Sequence, residues 1–132
     1  MQKNVITIYE GDFVETAVKK MQENNIGFIV VLNNSEDKKI IGVISDKDVI
    51  NKVVAKKKSP SSVQIKSVMT SPAITIDPDE KTSKAALLMK ENKIKRIIVA
   101  KNGSLQGVIS SNEILNFIIK KKKDLLDIAI DF

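Results

Sequence analysis

The chain repeats itself, and that repeat limits the folds open to it more than any other feature. Ile6-Thr7-Ile8 recurs as Ile74-Thr75-Ile76, and the register holds without a gap from Ile6–Val31 against Ile74–Val99, with 10 identities in 26 positions. A turn three residues longer in the first copy follows. Gly42-Val43-Ile44-Ser45 then recurs as Gly107-Val108-Ile109-Ser110, which adds 4 identities in nine positions. A period of this length marks a supersecondary unit used twice.

Each copy reads the same way. A short β-rich stretch (Val5–Ile8; Ala73–Ile76) leads through a polar turn into an amphipathic helix. In the first copy Asp12-x-x-Glu15 has the pattern of a cap and its third-position acid, and Val14, Ala17, Val18 and Met21 form an apolar stripe. In the second, Asp79 is the predicted cap, and Ala85, Ala86, Leu88 and Met89 carry the stripe. Two β-branched runs around a polar turn, Ile26–Leu32 with Ile40–Ile44 and Ile94–Ala100 with Leu105–Ile109, predict a hairpin. A second helix closes each copy, on Val49, Ile50, Val53 and Val54 or on Ile114, Leu115, Ile118 and Ile119. The expected fold is α/β (α+β), two pseudo-symmetric β-α-β-β-α repeats. Residues 1–58 form the first repeat, 59–66 a linker, 67–120 the second repeat and 121–132 a C-terminal extension. Neither half, at roughly 60 residues, buries a comfortable core alone, so the two are expected to pack together.

Composition removes most chemistry. With no His and no Cys, the chain lacks the usual general base, the thiolate nucleophile and every imidazole or thiolate metal ligand. Its five glycines, at 11, 27, 42, 103 and 107, match neither a phosphate loop nor a dinucleotide turn. Disulfides, zinc sites, haem and Ser-His-Asp catalysis are therefore excluded, and no metal site or required cofactor is expected. The longest apolar run, Ile26–Leu32, is far short of the roughly 20 residues that span a bilayer. No signal peptide is visible, and together with the lack of Cys this sets a cytoplasmic expectation. The formal charge of +6 favours anionic partners.

The order of motifs resembles a cystathionine β-synthase (CBS) domain pair, or Bateman module, here expected as a stand-alone protein. The resemblance rests on Ser67-Val68-Met69-Thr70-Ser71-Pro72-Ala73-Ile74-Thr75-Ile76 leading into the second copy, on Ile94-Lys95-Arg96-Ile97-Ile98-Val99, and on Gly42 through Asp48. It covers about residues 4–120; the first copy is read as lacking a Val-Met-Thr lead-in because the chain begins too late for one. The resemblance implies a regulatory module that binds an adenine nucleotide (AMP, ADP or ATP) between its repeats and acts on a separate protein. S-adenosylmethionine is the alternative ligand. It also implies a homodimer. Carried over by motif, Asp48 binds the ribose hydroxyls and Ser45 helps hold ribose or phosphate. Met69 and Ile74 flank the adenine, Lys95 and Arg96 face the phosphates from the other repeat, and Ile94 beside them is counted among the nucleotide-binding residues. A second, weaker site is implied at Ile6, Gly27, Ser110 and Glu113.

Each assignment has a plainer counterpart. Ser45-x-x-Asp48 also matches a helix capping box, but that box prefers the longer acid. Glu113 is thus read as the better cap and Asp48 as the ligand residue. Arg96 is the only arginine among 22 basic residues, and a guanidinium holds phosphate through two parallel hydrogen bonds where an ammonium cannot. The matching first-copy residues, Gly27 and Phe28, carry no charge. The two sites are therefore expected to differ, one binding phosphorylated adenosine and the other empty or holding something less charged. Lys56–Lys58 and Lys120–Lys123 are read as solvated helix ends, with a nucleic-acid patch as the alternative. The apolar segment Leu125–Phe132 is expected to pack on the module or on a partner.

Overall fold

A computed structural model describes residues 1–130, with side chains as far as residue 123. It divides into two compact units. The first unit is Asn4–Ile74; the second joins Met1–Lys3 to the chain from Thr75 onward.

In the first unit, β1 (Thr7–Tyr9), α1 (Val14–Asn24), β2 (Phe28–Leu32) and β3 (Ile40–Ser45) follow in order. They make a sheet in the order β1-β2-β3. β1 runs parallel to β2, with Ile8 opposite Val31, and a parallel neighbour requires a crossover, which α1 provides. β2 and β3 form the antiparallel hairpin, Val30 opposite Val43. α2 (Asp46–Val49) passes directly into a π-helical segment, Ile50–Val54, in which the Ala55 N–H donates to the Ile50 carbonyl at 2.8 Å. A short 3₁₀ turn, Ile65–Ser67, ends the unit's helical structure. The second unit repeats the plan with β4 (Thr75–Ile76), α3 (Thr82–Asn92), β5 (Arg96–Lys101), β6 (Ser104–Ser110) and α4 (Ser111–Ile130). Both units thus have the β-α-β-β-α order expected from the sequence.

The first core gathers Ile8, Val14, Ala17, Met21, Ile29 and Ile44 around the sheet, closed below by Val53 and Ile65. Ile65 is fully buried although it lies in the stretch read as linker, whereas Lys56–Ser59 are exposed as their composition predicts. The closing helices bury three of the eight apolar residues expected of them. Val49 and Val53 are buried while Ile50 and Val54 are exposed, and Ile114 is buried while Leu115, Ile118 and Ile119 are exposed. In the first of them Val49 and Val53, four apart, share the buried face and their neighbours Ile50 and Val54 do not.

Both predicted side-chain caps are absent. The residue capping α1 is Phe13, with no side-chain bond, and the Asp12 carboxylate instead accepts from the Tyr9 N–H at 3.0 Å. The free amides of α1 are satisfied from a distance: Val14 N–H donates to the Val63 carbonyl at 2.8 Å and Glu15 N–H to that of Pro60 at 3.0 Å. α3 starts after Lys81, again without a side-chain cap, and Asp79 pairs with Lys101 at 2.9 Å. The Lys120–Lys123 run is not a helix end, because α4 continues to Ile130. The expected packing of Leu125–Phe132 lies outside the described side chains.

The segment leading into each copy pairs with a hairpin. Thr70 exchanges both backbone hydrogen bonds with Val43 (2.8 and 3.0 Å), and Gln2 does the same with Val108 (3.0 Å each). Gln2 stands in the repeat register of Thr70, and Met1 in that of Met69. The first copy therefore has a lead-in after all, Met1-Gln2. Backbone pairing makes no demand for Val or Thr. It does demand glycine opposite: a Cβ on Gly42 would stand 2.7 Å from the Thr70 carbonyl oxygen, and one on Gly107 2.7 Å from that of Gln2.

Candidate functional site

The first unit draws a polar cluster together where β3 gives way to α2. Ser45 is the N-cap, its Oγ accepting from the Asp48 N–H at 3.2 Å, while the Ser45 N–H donates to Asp48 Oδ2 at 3.0 Å. The reciprocal box expected more of Glu113 is thus complete at Asp48. In the second unit the Ser110 N–H reaches Glu113 Oε1 at 3.4 Å, and Ser110 Oγ accepts from the Glu113 N–H at 3.1 Å. Both boxes are thus reciprocal, and the backbone-to-acid bond is the shorter at Asp48, 3.0 against 3.4 Å. Capping does not exhaust it.

Asp48, 8% exposed, is the buried charged residue among those described. Thr70 Oγ1 donates to its carboxylate, 3.1 Å from Oδ1 and 3.3 Å from Oδ2, and Lys52 Nζ lies 3.0 Å from Oδ1. Lys52 also donates to the Val68 carbonyl at 2.9 Å, tying the π-helical segment to the strand that carries Met69 and Thr70. Met69 is half-buried, its sulfur 3.1 Å from where a Gly42 Cβ would stand. A carboxylate fixed by three donors is a preformed hydrogen-bond acceptor. Burying such a charge is tolerable only with donors of this kind around it. Thr70 and Lys52 were not singled out from the sequence as site residues. Lys52 had a legible signal, since i,i+4 places it on the helix face of Asp48.

The other expected residues fall as follows. Ile6 and Ile74 are half-buried in the first unit. Gly27 precedes β2, its carbonyl accepting from the Asp46 N–H at 2.9 Å. In the second unit Ile94 is half-buried, and Lys95 and Arg96 are exposed. Arg96 is opposite Ser110 in the β5–β6 register, so the two side chains share a face of that sheet. Glu113 Oε2 lies 2.7 Å from the Met1 ammonium. Burial works to raise the Glu113 pKa, but that ammonium and Ser110 outweigh it and hold the acid below its usual range. The structure therefore gathers Ser45, Asp48 and Met69 in one unit, and Ser110, Glu113 and Arg96 in the other.

The lysine runs at 56–58 and 120–123 are exposed, and Lys121 sits over the Phe117 ring at 5.2 Å. A cleft of about 580 Å³ lies away from Asp48, lined by Phe13, Lys58, Gln64 and serines of the 59–67 stretch. Among the described residues, no helix is long and apolar enough to cross a membrane.

The family model for the CBS domain matches residues 1–55 and again 65–120. The chain belongs to the CBS domain family. Its two CBS repeats are similar to an uncharacterized protein of Methanopyrus kandleri, with 36% identity over 118 residues, 86% of this chain and 58% of that one. The chain spans between about a third and three-fifths of the length of three of its curated relatives, that one among them. Among solved structures, a protein with CBS domains from Burkholderia ambifaria superimposes with a TM-score of 0.79 at 27% identity, covering 89% of this chain and 85% of its own. The hexameric CBS-CP12 protein of bloom-forming cyanobacteria does so with a TM-score of 0.78 at 28% identity, covering 87% and 66%. The matched segment 1–55 reaches back to Met1, in agreement with the lead-in found at Met1-Gln2.

Proposed function

We propose that the protein is a non-enzymatic regulatory module that binds an adenine nucleotide, AMP, ADP or ATP, through the Asp48 cluster. Its occupancy is passed to a partner protein or to the protein's own assembly. The observation that carries this reading is the buried Asp48 carboxylate, held by the Ser45 N–H, Thr70 and Lys52. Such an acceptor suits the paired hydroxyls of a ribose, and the thioether of Met69, which precedes Thr70 in the chain, suits the flat face of a base. Membership of the CBS family adds its own support, because the resemblance implied adenosine ligands at these same residues. A ligand of this kind regulates only through a difference in affinity between two states of the protein.

The reading is tested by titration calorimetry of the parent and of Asp48→Asn against AMP, ATP, adenosine and S-adenosylmethionine. The variant keeps an oxygen for the cap but loses the charge and one acceptor. Every ribose ligand should weaken by about tenfold or more, the effect of losing a charge-assisted hydrogen bond. Unchanged binding in Asp48→Asn refutes the site.

A further inference from the structure

We infer that Lys52 is a displaceable occupant of the Asp48 carboxylate that sets the preference for phosphorylated over bare nucleosides, an inference that rests on the nucleotide reading above. A carboxylate offers about four lone-pair positions. Three donors already use Asp48: the Ser45 N–H, Thr70 Oγ1 and Lys52 Nζ. A vicinal diol brings two more, so one resident donor must leave. The Ser45 N–H is fixed by the capping box, and Thr70 is held by its two backbone bonds to Val43.

Lys52 is the donor able to yield. Its side chain is 43% exposed, its four-carbon stem is flexible, and the Val68 carbonyl at 2.9 Å gives the ammonium a second anchor. Displaced by a ribose, the ammonium stays within reach of the same ligand and can donate to a phosphate oxygen. Bare adenosine must therefore evict a cation and gains nothing from it, whereas AMP or ATP recovers the charge. Lys52 is a positioning residue in the empty protein and a ligand contact in the filled one. In the second unit the register places Phe117 at the position of Lys52, below Glu113.

The test compares adenosine and ATP binding to the parent, Lys52→Met and Lys52→Arg, with each variant's fold checked by its thermal melt. In Lys52→Met, adenosine should bind about three- to fivefold more tightly while ATP binds more weakly, the scale of a half-exposed ion pair. Lys52→Arg keeps the charge and should hold the parent's ratio of the two affinities within about twofold. A merely structural lysine would shift both ligands in the same direction, and that result, or no shift in either, overturns the proposal. Should Lys52→Met fail to fold, Lys52→Gln carries the same expectation. If the parent binds neither ligand, the nucleotide reading itself fails and this inference falls with it.

Discussion

At Gly27 the chain has no side chain before β2, and the Asp46 carboxylate fills the space, its Oδ2 2.6 Å from where a Cβ would stand. The second unit reverses the arrangement: Lys95 takes the position of Gly27, and the small Ser111 takes that of Asp46, its N–H donating to the Lys95 carbonyl at 2.8 Å. One location thus carries an acid in one repeat and a base in the other. This gives the expected inequality of the two repeats a physical basis in a pair of residues, not in Gly27 alone. The two glycine positions should also respond differently to a methyl group. At Gly42 the obstacle is the Thr70 backbone oxygen, so Gly42→Ala must push the lead-in strand away and should cost about 1–3 kcal/mol. At Gly27 the obstacle is an exposed side chain that can swing aside, so Gly27→Ala should cost under about 1 kcal/mol. Urea midpoints of the two variants decide it, and equal losses would show the Thr70 contact to be soft. Asp48 and Ser45 were legible because a capping box is local in sequence. The Thr70 hydrogen bond was not, since it joins residues 22 apart and follows from how the lead-in strand returns to β3.

The elements were legible wherever hydrophobic period decides, as in α1, α3 and both hairpins. Their beginnings were not. A short acid before a helix is a reasonable cap, yet Asp12 closes the Tyr9 turn and Asp79 reaches Lys101, while α1 takes its cap from the Pro60 and Val63 carbonyls. Those carbonyls lie some fifty residues further along the chain, where no local pattern points to α1. The stretch read as linker is thus part of the first unit's structure, anchored by Ile65. Ile65→Ala should destabilise the unit by about 2–5 kcal/mol through the cavity it leaves. Asp12→Ala should cost less than about 1 kcal/mol, since only one exposed turn bond is lost. Denaturant unfolding of both variants checks this, and a larger loss for Asp12 would restore it as a helix cap.

For the molecule as a whole, the repeat foretold two units of one plan and the family to which they belong. It did not foretell that the segment leading into each copy pairs with a hairpin in the opposite half of the sequence, because Met1-Gln2 and Met69-Thr70 share one methionine and little else. α4 presents Leu115, Phe117, Ile118 and Ile119 about half exposed, an apolar surface that suits the homodimer implied by the family resemblance. Ile118→Glu should then lower the sedimenting mass to that of a monomer at micromolar concentration. A parent already monomeric there would remove the dimer from the account. The central claim, that the Asp48 cluster holds the ribose of an adenine nucleotide, is tested most directly by calorimetry of ATP against the parent and Asp48→Asn at one near-physiological salt concentration. Repeating it at a second temperature guards against a vanishing enthalpy. Saturable micromolar binding to the parent, weakened tenfold or more in the variant, is the predicted result. No binding by the parent at either temperature, or equal binding by both proteins, would contradict it.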